Sequence, residues 1–323
     1  MEILSFSPVA LFVYNRLENT KKTIECLLAN TLAKSTDVYV FSDGGKDCES
    51  WKKVKELRNF LHDEKERIDK EQLFRSFTII ERPENYYLER NIIEGISHIF
   101  SFRDRIIVLE DDICTSPYFL EYMNDGFTLY KDNPKVMHLS GFTNLNLLEE
   151  HPELLAQGDE TYFTPHMSGW GWGTWREKWQ NHFRHYKSRS EALEGMSQDD
   201  INAIQYNGEF PCLKSLDKDP IPWDICWELA IYKQEGLCLT PAKTMVRNIG
   251  LKGGTHFKTY DLLQTYIFDR PPLMRYLKVN KRTPLKDMQI ERLFAEAIHD
   301  WGIRYNLLGK IARFIYKKLK KKE

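Results

Sequence analysis

The sequence predicts an α/β fold, a Rossmann-like half on a mixed central sheet followed by an irregular half. Three observations point there. Apolar runs at Val9–Val13, Val38–Phe41, Phe77–Ile80 and Ile106–Leu109 alternate with amphipathic stretches, as parallel strands joined by helical crossovers require. The last run leads straight into Glu110-Asp111-Asp112, three carboxylates at a strand exit, where open α/β sheets bind their ligands. Beyond Gly141 the alternation fades into a stretch rich in Trp and Gly, as substrate-binding loops often are.

Each element follows from its residues. Val9-Ala10-Leu11-Phe12-Val13 is apolar throughout, the mark of a strand buried on both faces. Thr20 is placed to cap a helix whose Ile24, Leu27 and Leu28 share one side. Val38–Phe41 is a second strand, ending in Ser42-Asp43-Gly44-Gly45, and a charged helix follows from about Ser50 to His62. Phe77–Ile80 is the third strand, a helix ends near Phe100, and Ile106–Leu109 delivers the acids. Ser116-Pro117 opens another helix with proline at its first position; Phe119, Met123, Phe127 and Tyr130 form its stripe and Asn133-Pro134 ends it. Val136–Leu139 reads as a further strand.

Composition narrows the function. At 323 residues, 42% hydrophobic and 29% charged, the chain suits a soluble globular protein with a sizeable core. A net charge of −1 argues against nucleic acid as a partner. No segment approaches the roughly 20 apolar residues needed to span a bilayer, and Met1 to Pro8 lacks the pattern of a secretory signal. Six cysteines without a CxxC pair suggest reduced thiols and a cytoplasmic setting.

Several residues carry chemistry. Hard carboxylate oxygens at Glu110-Asp111-Asp112 suit Mg²⁺ or Mn²⁺ bridging a diphosphate, with Glu110 and Asp112 on one side of an extended segment. Against this stands a solvated acidic helix start. Arg16, after the first strand, can pair with phosphate; Asp43, after the second, can accept from a base or ribose, although Asp-Gly is also ordinary turn chemistry. Trp170 and Trp172, in Gly169-Trp170-Gly171-Trp172-Gly173, offer ring faces to sugar C–H groups or simply fill the core. Asp224, in the apolar setting of Pro222-Trp223-Asp224-Ile225, is either a desolvated general base or a helix N-cap. The glycine-rich run Asn248 to His256, with Lys252 and His256, has the make-up of a loop that closes over phosphates.

In order and spacing, these residues resemble GT-A fold glycosyltransferases, specifically the bacterial relatives of animal N-acetylglucosaminyltransferase I. The similarity spans residues 8 to 260. It runs through Asn15-Arg16, Asp43, Glu110-Asp111-Asp112, the aromatic helix Tyr118 to Tyr130, Trp223-Asp224, Cys238 with Pro241, and Gly250 to His256. The resemblance implies an inverting transfer from a UDP-sugar, such as UDP-GlcNAc or a related hexose donor, to a saccharide or lipid-linked saccharide acceptor. It also implies Asp112 as the ligand of Mn²⁺ or Mg²⁺, Glu110 and Asp111 at the donor sugar and ribose, Arg16 and Asp43 at the nucleotide, and Asp224 as the base. His256 would face the phosphates or the metal, and Trp170, Trp172 and Trp223 the substrate. Where the animal family has a histidine in the helix before the acidic strand, this chain has Asn91, which alters the base contacts. The Trp-Gly run is also similar to the β-1,4-galactosyltransferases, but Thr174-Trp175 stands where their acids follow.

The expected organisation is a GT-A domain over 1–265, with a nucleotide-sugar half at 1–140 and an acceptor half at 141–265. A helical extension over 266–323 follows. Its end, 303–323, alternates apolar and basic residues as a helix lying on an anionic membrane surface would, at the inner face of the cell membrane. Two rivals are a sugar nucleotidyltransferase, whose glycine-rich phosphate loop Tyr14-Asn15-Arg16 does not match, and a noncatalytic carbohydrate-binding or membrane-scaffold protein.

Overall fold

The computed structural model describes residues 6–156, 158–208, 210–250 and 270–297. Val9–Val13 forms β1, buried at every position, and the next apolar runs form β2 (Asp37–Ser42), β3 (Ser76–Glu81) and β4 (Arg105–Glu110). β1 pairs in parallel with β2 and β4, and β2 with β3. The crossovers are α1 (Leu17–Leu28), α2 (Cys48–Glu71) and α3 (Tyr87–Phe100). α2 is longer than the predicted Ser50 to His62. Asp47 caps it by a reciprocal box with Ser50, and Ile68 continues the buried stripe of Val54, Leu57 and Leu61.

After the acids the chain turns directly into a short strand, β5 (Ile113–Thr115), before α4 (Phe119–Tyr130) and β6 (Val136–Ser140). Pro117 therefore precedes the helix instead of opening it, and the Ser116 carbonyl accepts from the Phe119 amide at 3.1 Å. The second half adds β7 (Thr161–Thr164), β8 (Trp172–Trp175), β9 (Leu237–Pro241) and β10 (Val246–Asn248). Eight strands form one sheet in the order β3-β2-β1-β4-β8-β6-β9-β7, and β10 pairs antiparallel with β5. β8 runs antiparallel between β4 and β6, and β7 antiparallel to β9, so the sheet is mixed as expected. The expected α/β, Rossmann-like architecture on a mixed central sheet is thus present.

Period-two alternation along β4 divides the core. Ile107 and Leu109 face α1, α2 and α4, while Ile106 and Val108 face α3 and the helix Trp223–Lys233. Of the segment expected as a helical extension, residues 270–297 are described. Residues 270–287 have no helix, and Leu273, Leu277 and Val279 are buried in the main core; a helix is present from 288 to 297. The basic tail 303–323 lies outside the described residues, and among those described no helix is long and apolar enough to cross a membrane.

Candidate active site

The carboxyl ends of β1, β2, β3 and β4 share one edge, which gathers the residues expected there. β4 ends at Glu110, and the turn through Asp111 and Asp112 breaks the strand alternation. In consequence Asp111 and Asp112 both reach Arg16. Arg16 bridges them. Its guanidinium makes a close ion pair with Asp111, reinforced by Nε at 3.3 Å, and Nη1 lies 2.9 Å from Asp112 Oδ2. Asp111 is buried, and burial pushes its pKa up to about 6 against the opposing pull of Arg16.

Glu110 keeps the side of Val108, the face on which Trp223 and Trp227 pack. Burial and the neighbouring Asp112 and Asp111 charges raise its pKa to about 8, and Asp224 adds to the rise. Asp224 is therefore within electrostatic reach of Glu110. Asp224 is not a helix N-cap: Pro222 holds that position, and Asp224 sits in the first turn, where its carboxylate accepts from the Ile225 amide at 2.8 Å. Its side chain reaches solvent, yet the surrounding walls desolvate the carboxylate and raise its pKa. The Ile225 amide and Lys218 oppose this, and Glu228 adds to it. A carboxylate with raised basicity, open to a substrate hydroxyl, suits a general base.

Asp112 meets the chain again at Gly250. β10 lies alongside β5, and the Ile249 amide donates to the Asp112 carbonyl at 2.8 Å. A Cβ on Gly250 would stand 2.0 Å from Asp112 Oδ2, so glycine leaves the carboxylate its space. No cluster of three or more metal-ligating side chains occurs among the described residues. One hard carboxylate in a cradle that any larger residue would fill suits Mg²⁺ or Mn²⁺, whose shells are completed by phosphates and water. Asp112 would hold such an ion. Lys252 and His256 lie outside the described residues.

The nucleotide side adds a residue to those expected. Asp43 is buried at the end of β2 and accepts from the amides of Tyr86 (2.7 Å) and Gly44 (2.9 Å) and from Asn85 Nδ2 (3.2 Å). Asn91 is buried within α3, and its carbonyl accepts from Arg82 Nε at 2.9 Å. Arg82 was not singled out from sequence. It lies over the rings of Phe41 and Tyr86 (5.3 and 4.8 Å), and its Nη2 is buried without a partner. Such an orphaned donor beside Asp43 is suited to an incoming carbonyl or phosphate oxygen. The signal that would have found it is the one that found Arg16: a polar residue directly after an apolar strand run.

The tryptophans divide. Trp172 is 0% exposed, stacked between His138 (ring centroids 5.2 Å apart) and Trp223 (5.0 Å), so it is core and presents no face to a sugar. Trp223 is buried with it, against expectation. Trp170 remains partly exposed, edge-on to Phe142 at 4.5 Å, on the loop between β7 and β8.

No family model matches the chain, and no curated protein matches it. Among solved structures, it is similar to the mannosyltransferase PcManGT from Pyrobaculum calidifontis in complex with GDP-Man and Mn²⁺, with a TM-score of 0.38 and 13% identity. That similarity covers 72% of this chain and 70% of the other. Nothing in these comparisons bears on the likeness to N-acetylglucosaminyltransferase I.

Proposed function

We propose that this protein is an inverting, divalent-metal-dependent glycosyltransferase, moving a hexose or N-acetylhexosamine from a UDP-sugar to a saccharide acceptor. The observation that carries the reading is a desolvated Asp224 within electrostatic reach of Glu110, next to an acidic turn that Arg16 bridges and Gly250 cradles. A nucleotide-binding edge alone would serve binding. A separate, desolvated carboxylate near the acids is what a displacement at the anomeric carbon needs.

In this scheme Arg82, Asp43 and Asn85 receive the nucleoside, and Arg16 orders the acidic turn. Mg²⁺ or Mn²⁺ at Asp112 would offset charge on the diphosphate leaving group. Glu110 faces the donor sugar. Asp224 takes the proton of the acceptor hydroxyl as its oxygen bonds to the anomeric carbon; the bond to the diphosphate oxygen breaks and its electron pair leaves with the nucleotide. A lipid-linked saccharide of a bacterial surface glycan is the acceptor class we favour, with the 303–323 tail resting on the cytoplasmic membrane face.

The test is release of nucleoside diphosphate from UDP-glucose, UDP-galactose, UDP-GlcNAc and GDP-mannose with Mn²⁺, with and without added glycosides. Turnover with one UDP-sugar is expected. D224N should lower kcat by about 10²–10⁴ with little change in donor KM, and D112A should abolish the metal requirement together with activity. Full turnover in both variants, or none in the wild type with any donor, would overturn the reading.

A further inference from the structure

Glu228 lies one helical turn beyond Asp224 on the same helix, so the two share a face. It is only 6% exposed, unusual for a carboxylate, and both its oxygens are engaged. Oε1 meets His166 Nδ1 at 2.5 Å, and Oε2 accepts from the Met167 amide at 2.8 Å. His166 is equally buried, stacked on Phe294 at 5.4 Å and tilted against Tyr206 at 4.9 Å. Both bonds cross from the helix of Asp224 to the start of the segment 166–171, which is irregular backbone leading into β8.

That segment runs between the two acid carriers. At Gly169 a Cβ would stand 3.5 Å from the ring of Trp223, the residue before Asp224. At Gly171 it would stand 3.4 Å from Leu109, the residue before Glu110. Between them is Trp170, partly exposed. The segment therefore walls the gap in which, on the function proposed above, the acceptor hydroxyl meets its base.

We propose that Glu228 is a positioning residue for the acceptor: through His166 and the Met167 amide it clamps the 166–171 wall to the helix that carries Asp224. A buried carboxylate with two directional bonds fixes a loop in one register, whereas an apolar contact would let it slide. Acceptor recognition then depends on a residue that the acceptor never touches.

The proposal makes two predictions for the full chain, one independent of turnover. In amide hydrogen exchange, E228A should speed exchange at 167–171 at least tenfold, and H166A should do so independently should E228A fail to fold. E228Q should keep protection: its carbonyl can accept from Met167 while its amide donates to the other imidazole tautomer. In transfer from the active UDP-sugar to methyl glycosides of glucose, galactose and N-acetylglucosamine, E228A should raise acceptor KM at least tenfold with less than a twofold change in donor KM, and E228Q should restore it. Unchanged exchange in both E228A and H166A would overturn the clamp, as would donor and acceptor KM rising together. Absence of turnover in the wild type would count against the glycosyltransferase reading, while the exchange result would still decide the clamp.

Discussion

Gly250 is pressed against Asp112 so closely that a Cβ would stand 2.0 Å from Oδ2 and 2.8 Å from Cβ of the aspartate. Rotating the carboxylate alone cannot relieve that contact, because the aspartate Cβ is itself in the way. G250A should therefore displace Asp112. Titration calorimetry with Mn²⁺ and UDP should show binding weakened at least tenfold, about 1.4 kcal/mol. Wild-type affinity in G250A would remove Asp112 from the metal site.

Arg16 compensates two acids at once. R16A leaves Asp111 and Asp112 facing each other without a cation, the costly outcome when one member of a partly buried cluster is deleted. Since Arg16 is itself a third exposed, solvent screens part of the loss, and about 1–2 kcal/mol is expected in metal-free buffer. Mn²⁺ should recover some of it by binding the folded state. Urea midpoints with EDTA and with Mn²⁺ measure both. An R16A protein equal to wild type in EDTA would contradict this role.

The strand runs, the edge they build and the residues following β1, β2 and β4 were legible because each depends on local pattern. Val9–Val13 can hardly be anything but an interior strand, and Arg16, Asp43 and Asp112 follow such runs directly. What sequence could not reveal was non-local. Trp172–Trp175 becomes the strand between β4 and β6, and its glycine meets the neighbouring strand closely: at Gly173 a Cβ would lie 2.7 Å from the Ile106 carbonyl. The same alternation would suit a sugar-binding loop. Nothing in the sequence reveals that Arg82 donates to the Asn91 carbonyl. Residues 270–287 lack a helical period, and their place in the core rests on Leu273, Leu277 and Val279 finding distant partners.

The division among the tryptophans is measurable. Trp172 is wholly enclosed between His138, Trp223 and Trp179, so W172A should cost about 3–5 kcal/mol and raise the yield of unfolded chain. Trp170 is partly exposed and packs edge-on to Phe142, so W170A should cost less than about 2 kcal/mol. Its larger effect should be on acceptor KM. Urea unfolding of the two variants side by side checks the order, and equal losses would contradict it.

His138 gives the stability a pH dependence of known direction. It is fully buried in β6, accepts from the indole N–H of Trp227 at 3.2 Å, and burial lowers its pKa from 6.5 to about 3. The Ser168 backbone opposes that shift. The folded state thus binds the proton less readily than the unfolded chain. The stabilisation from neutral His138 is complete above pH 6.5 and is lost as pH falls from there toward 3. Within that window one proton contributes a slope of about 1.4 kcal/mol per pH unit. H138Q keeps an acceptor for Trp227 without the titration. Unfolding free energies from pH 4 to 7 should therefore converge between wild type and H138Q as the pH falls. Parallel lines across that range would mean that His138 does not carry the dependence.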